Sequence, residues 1–195
     1  ANGITVPAYV TNTLTDHKHI LVDSGATIAI VSTKKLAQPL LEAAEQTNTL
    51  SCLIAIEPLD RQSTSKVQTI AWDEALSAVP QNDPLSLDEV DKIKPEDVAC
   101  LIYTSGTGGT PKGVMLSHRA IMCNCVGAYY LLEELGLDDE IFLSFLPLSH
   151  SYEHSCGLMF PISIGAQIYY AEGIDKLSSN LTEVSPTIMT SVPRL

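Results

Sequence analysis

The sequence predicts an α/β protein of mostly parallel sheets flanked by helices. Three observations carry that reading. Up to Glu57 the apolar pattern switches between helical and strand-like spacing in the order helix, strand, helix, strand. The same alternation resumes at Asp97 and continues to the end of the chain. Within these segments stand short, nearly continuous apolar runs such as "ATIAIVS" and "DVACLIYTS", which read as buried strands. Strands separated by helices call for parallel pairing through crossover connections.

The elements follow in order. Thr13–Ser24 has apolar residues near helical spacing and closes on Gly25, a residue suited to the left-handed turn after a helix. Ala26–Ser32 is expected as a buried strand. Thr33 caps a helix through Glu45 with Leu36, Leu40, Leu41 and Ala44 on one side, and Ser51–Glu57 is the next strand. Residues 58–97 are polar, contain proline and are weakly patterned apart from a short helix over Trp72–Val79; they are expected to be a connecting region. Asp97–Ser105 is a strong buried strand. Ser117 then caps a helix to about Leu135, with Ile121, Met122, Cys125, Tyr129 and Leu132 on one stripe. Strand Glu140–Pro147, helix Ser151–Ile164, strand Ala166–Glu172, helix 174–184 and strand Thr187–Pro193 complete the chain. Residues 1–97 form a first α/β subdomain with its connecting region, and residues 98–195 a second.

Composition narrows the function. The 195 residues are 45% apolar, enough for a folded core, and carry a formal net charge of −12. The acidic residues are spread over several stretches, which disfavours a nucleic-acid partner and requires any polyphosphate site to be local. The five cysteines (Cys52, Cys100, Cys123, Cys125, Cys156) form no C-x-x-C pair, which fits a reducing compartment without structural zinc. Cys123 and Cys125 are expected as core fillers. Apolar runs are broken by Pro147 and Pro161, well short of the roughly 20 residues of a membrane span, so a cytoplasmic protein is expected. Peripheral membrane association is not readable. The chain starts at Ala1 without an initiator methionine and is expected to be a piece of a longer protein.

The most informative stretch is "YTSGTGGTPKGV", Tyr103–Val114. Glycines 106, 108, 109 and 113 let the backbone bend and leave room for a ligand. Thr104, Ser105, Thr107 and Thr110 add hydroxyl donors, Lys112 supplies positive charge, and Pro111 stiffens the turn. Placed after a strand and before a helix, such a loop suits a polyphosphate. A Walker A loop requires glycine directly before its lysine, where this chain has Pro111. The dinucleotide pattern G-x-G-x-x-G fits Gly106 and Gly108 but also meets Pro111, and the kinase glycine loop fails there too.

The stretch closely resembles the phosphate loop of the adenylate-forming superfamily, which includes acyl- and aryl-CoA synthetases, luciferases and peptide-synthetase adenylation domains. The pattern is Tyr-Thr-Ser-Gly-Thr-Thr-Gly-x-Pro-Lys-Gly-Val, and Gly108 is the single departure, standing where the family has threonine. "MLSH" (Met115–His118) is the usual continuation, "FLSFLPLSHSYEH" (Phe142–His154) is similar to a segment of long-chain fatty-acyl-CoA synthetases of the bacterial type, and "TIMTSVPRL" is similar to the next family strand. The likeness spans nearly the whole chain and implies part of the N-terminal domain.

The resemblance implies a reaction in which a carboxylate attacks the α-phosphate of MgATP, pyrophosphate leaves, and coenzyme A displaces AMP from the acyl-adenylate. The implied partners are a fatty acid or other carboxylate, ATP, Mg2+ and coenzyme A. The backbone of Ser105, Gly106, Thr107, Gly108 and Gly109, the hydroxyls of Ser105 and Thr107, and Lys112 would hold the β- and γ-phosphates. Thr104 is the candidate magnesium ligand. Lys112 and His150 are the candidate catalytic residues, His150 bordering the acyl pocket and orienting the carboxylate. His150 has a second reading as a cap for the helix after Pro147. Glu153 and His154 are expected to pair at the surface, His118 to start a helix, and Tyr103 to be core. Asn180-Leu-Thr is a glycosylation sequon in pattern only.

The adenine, ribose and late-lysine elements of the superfamily are absent from these residues and by analogy follow Leu195, so the fragment alone is expected to make no acyl-adenylate. A non-catalytic nucleotide-binding module, and within the enzyme class an aryl or medium-chain ligase or an adenylation domain, remain open alternatives.

Overall fold

The computed structural model describes residues 3–59, 66–78, 90–104 and 109–192. It divides into two compact units, residues 8–93 and residues 3–7 together with those from Lys94 onward.

In the first unit, helices α1 (Leu14–Ser24) and α2 (Lys34–Thr47) pack on each other beside a parallel sheet of β1 (Ile28–Val31), β2 (Cys52–Ala55) and β3 (Gln68–Ala71); α3 (Trp72–Ser77) follows directly. Local chemistry sets the helix ends. The Thr13 side chain accepts from the Asp16 N–H while the Asp16 carboxylate accepts from the Thr13 N–H at 2.8 Å, a capping box that satisfies two donors at once. Gly25 ends α1 with φ 66°, and Asn48 ends α2 with φ 56°, both left-handed. Thr33 caps α2 by accepting from the Leu36 N–H at 3.3 Å. The core joins Leu21 and Ala37, Leu40, Ala43 and Ala44 to Leu53, Ala55 and Val67.

Three expectations need correction here. β1 is not buried throughout: Ile28 and Ile30 are 60% and 59% exposed, because alternation along a strand turns them away from the face that carries Val31 into the core. Of the expected apolar side of α2, Leu40 and Ala44 are buried but Leu36 and Leu41 are only half-buried, and the buried face also takes in Ala37 and Ala43. Residues 58–97 do more than connect, since Gln68–Ala71 pairs in register with β2. Backbone ladder bonds hold that strand, and its mixed side chains carry no strand pattern.

The second unit contains the antiparallel pair β4 (Val98–Thr104) and β5 (Lys112–Ser117), the long helix α4 (His118–Leu132), and the parallel pair β6 (Ile141–Ser144) and β7 (Gln167–Tyr170). Between β6 and β7 runs one continuous helical segment made of α5 (Ser151–Glu153), a π-helical stretch (His154–Met159) and α6 (Phe160–Ser163); α7 (Leu177–Val184) follows β7. The Ser117 hydroxyl caps α4 by accepting from the Ala120 N–H. The core gathers Cys100, Ile102, Ile121, Cys125, Phe142 and Phe160, the two phenylalanine rings meeting edge to face at 6.0 Å.

Again the structure departs from expectation in definite places. Lys112–Ser117 is a strand paired to β4, so the glycine-rich stretch closes a hairpin and does not run straight into a helix. On α4 only Ile121 and Cys125 are buried, while Met122 and Tyr129 lie on the exposed flank. Cys123 is exposed, so the core-filler expectation fails for it and holds for Cys125. Among the described residues, Thr187–Val192 contributes only the parallel bridge Phe142↔Ile188, and Pro193 lies outside them. No helix among the described residues is long and apolar enough to cross a membrane.

Candidate active site

Two segments of the second unit bring the predicted site residues to strand ends. The first is the β4–β5 hairpin. Thr104 and Lys112 form the last pair of its ladder, both exposed, so the loop between them is closed at its base by backbone pairing. Gly109 has φ 91°, a conformation that favours glycine. Ser105, Gly106, Thr107 and Gly108 lie outside the described residues. Gly113 serves a different purpose from bending. It sits opposite buried Tyr103, and a Cβ there would lie 3.1 Å from the ring's Cζ, so the missing side chain makes room for the ring.

The second segment begins where β6 ends. The His150 N–H donates to the Pro147 carbonyl at 2.9 Å, and His150 takes the N-cap position of α5, with its Nδ1 accepting from the Tyr152 N–H at 3.2 Å. An accepting Nδ1 places the proton of a neutral ring on Nε2. The ring is therefore a helix cap on one side and an exposed donor on the other.

Glu153 and His154 overturn the expectation of a surface pair. Glu153 is 0% exposed and His154 5%. The Ser144 hydroxyl donates to Glu153 Oε1 at 2.5 Å, and the Thr190 hydroxyl donates to Oε2. His154 Nδ1 lies 3.2 Å from the Leu148 carbonyl, which only accepts, so this nitrogen carries the proton; Nε2 is buried with no hydrogen-bond partner. Ser149 and Ser155 are buried in the same stretch. Among the described residues, buried polar side chains thus concentrate in 144–155 and Thr190, with Asn180 apart. Buried polar groups are costly unless partnered, and π-turns recur at functional sites. Sequence reasoning missed this cluster. Its one local signal was Gly157 placed four residues after Glu153, a helical spacing that leaves the carboxylate room.

The remaining candidates settle plainly. Burial pushes the Cys100, Cys125 and Cys156 thiols up, with the Glu153 charge adding to the effect at Cys156, so none is poised as a thiolate nucleophile. His118 is the first residue of α4. Asn180 is buried, accepting from the Glu172 N–H and donating to its carboxylate, both at 3.1 Å, and is no glycosylation acceptor in this fold. The Arg119–Glu96 pair is exposed and ties α4 to the chain before β4.

Comparison with known proteins places these features in a family. A frog (Xenopus laevis) protein named Long-chain-fatty-acid–CoA ligase ACSBG2 is 31% identical over 201 aligned residues, covering 100% of this chain and 27% of that protein. A benzoate CoA ligase from Burkholderia xenovorans matches in structure with a TM-score of 0.69 at 25% identity, over 98% of this chain and 35% of its own. The adenylation domain of a carboxylate reductase from Mycobacterium chelonae gives a TM-score of 0.76 at 22% identity, over 98% of this chain and 31% of its own, a likeness of fold. The chain thus spans between about a quarter and a third of the length of these proteins. The family profile described as AMP-binding enzyme matches residues 1–195. An α/β chain with this loop at a strand end, matched to that profile over every residue, belongs to the AMP-binding enzyme family.

Proposed function

We propose that the full-length protein is an ATP-dependent ligase that converts a fatty acid to its acyl-adenylate and then to its coenzyme A thioester. The observation that carries this reading is the "YTSGTGGTPKGV" loop between β4 and β5, in a chain whose relatives include a long-chain-fatty-acid–CoA ligase. The left-handed Gly109 and the exposed Thr104 and Lys112 at the hairpin end suit a bound polyphosphate.

Bound MgATP supplies the electrophilic α-phosphorus and the pyrophosphate leaving group. The chain's own residues position and neutralise charge, and no covalent enzyme intermediate is needed. Lys112 balances charge on the β- and γ-phosphates. By the family resemblance of the sequence, Ser105, Gly106, Thr107, Gly108 and Gly109 would add backbone N–H donors, and Ser105 and Thr107 their hydroxyls, for the same phosphates. Thr104 would offer its hydroxyl to Mg2+. His150, held as a cap through Nδ1, presents its Nε2–H to orient the fatty-acid carboxylate.

The test is carboxylate-dependent release of pyrophosphate and AMP by the full-length protein, over acids from short to long chain and benzoate, with coenzyme A as acceptor. Thioester formation with long-chain acids is the expected result. Preference for benzoate or medium chains would move the substrate within the family. Nucleotide binding without carboxylate-dependent pyrophosphate release would make the protein a binding module.

A further inference from the structure

We propose that Glu153 is a positioning residue whose carboxylate fastens the helical run beginning at His150 to the end of β6 and to the segment around Thr190, and so sets the placement of the His150 ring. Its effect on turnover rests on the ligase reading above.

The geometry lets one carboxylate hold both the end of β6 and the segment around Thr190. Phe142 of β6 and Ile188 form a parallel bridge, reinforced by the Leu143 N–H donating to the Ile188 carbonyl at 3.2 Å. Ser144 and Thr190 each stand two residues beyond those partners. Two residues is the period of an extended chain, so their hydroxyls fall side by side on one face. Glu153 takes one hydroxyl on each oxygen. Gly157, one turn further along, carries no side chain where one would strike the carboxylate.

The other end of the device is His150. The His154 N–H donates to the His150 carbonyl at 2.9 Å, and the Tyr152 N–H donates to His150 Nδ1. Glu153 lies within that same turn, so whatever holds it also fixes the cap. Packing alone would be served at least as well by an apolar side chain, since burying a carboxylate costs free energy that two neutral hydroxyls only partly offset. The return is a helix start that cannot rotate without breaking both hydroxyl contacts.

The experiment uses the full-length protein with Ser144→Ala, Thr190→Val and Glu153→Gln, each in the wild-type and His150→Ala backgrounds. Three quantities are read: kcat and KM for carboxylate in pyrophosphate release, thermal unfolding, and the side-chain NMR signal of His150. Variants that remain folded should lose roughly ten- to a hundredfold in kcat/KM for the carboxylate, with KM for ATP little changed. Their His150 signal should move. The loss should largely disappear in the His150→Ala background, because residues that act through one group are not additive. A full loss in both backgrounds would overturn the proposal. So would variants that are merely less stable, with wild-type activity per folded molecule and an unmoved His150 signal. If the wild type releases no pyrophosphate with any acid, the ligase reading fails by itself; the His150 signal then decides the placement, and an unmoved signal sinks it.

Discussion

Gly157 lies one turn beyond Glu153, and a Cβ built on it would collide with the buried carboxylate, with even the farther oxygen, Oε2, only 2.9 Å away. The pair is complementary: one residue lacks a side chain so that the other can be buried. Gly157→Ala should destabilise the second unit by roughly 1–3 kcal/mol, the usual cost of overpacking. In a Glu153→Ala background the same substitution should cost little. Chemical denaturation of the four proteins of this double-mutant cycle checks both expectations.

Tyr103 and Gly113 repeat that relationship across the β4–β5 ladder, more loosely. A Cβ at Gly113 would be 3.1 Å from Tyr103 Cζ and 3.2 Å from its hydroxyl oxygen. The buried ring must yield by a few tenths of an ångström. Gly113→Ala should therefore cost about 1 kcal/mol, and Gly113→Val markedly more. Amide exchange along β4 and β5 is the direct measurement, with faster exchange expected from Tyr103 to Lys112.

Lys112 distinguishes phosphate binding from general surface charge. Lys112→Ala in the full-length protein should slow adenylation by roughly a hundredfold or more, as loss of a charge-stabilising group does, while carboxylate affinity changes little. Pyrophosphate release and equilibrium binding of the acid measure the two effects separately. Equal loss of both would remove the phosphate role.

The start of α1 should give the first unit a pH-dependent stability. Thr13→Ala removes the cap and should cost about 1 kcal/mol. Hydrogen bonds from the Thr13 side chain and backbone lower the Asp16 carboxyl below its ordinary 3.8, so Asp16 contributes stability above that value and loses it as pH falls through its lower folded value. Burial lowers His17 below its ordinary 6.5, against the smaller opposing pull of Asp16. The unfolded chain then takes up the His17 proton first, and stability declines as pH drops below about 6.5. His17→Gln should flatten the decline between neutral and mildly acidic pH, as read from denaturation midpoints. An unchanged pH profile would count against the burial of His17.

Legibility varied with the range of the forces involved. The caps at Thr33 and Ser117 and the left-handed Gly25 were readable because each depends on atoms within a few residues. The phosphate-type loop was readable because Pro111 excludes the commoner glycine-rich motifs by residue type alone. β3 was not, because its ladder bonds come from β2 and its side chains carry no pattern of their own.

The sequence by itself determined the α/β alternation, the helix boundaries and the chemistry gathered in Tyr103–Val114. Tertiary structure decided that this stretch closes a hairpin, since only the pairing of β5 with β4 brings Lys112 opposite Thr104. It also decided that Glu153 is interior. Ser144 and Thr190 come from 9 and 37 positions away to receive it, and no local pattern can report a solvent exclusion produced by such distant neighbours. Burial and cross-strand pairing are properties of the assembled unit, whereas caps and turn conformations are set by the chain alone.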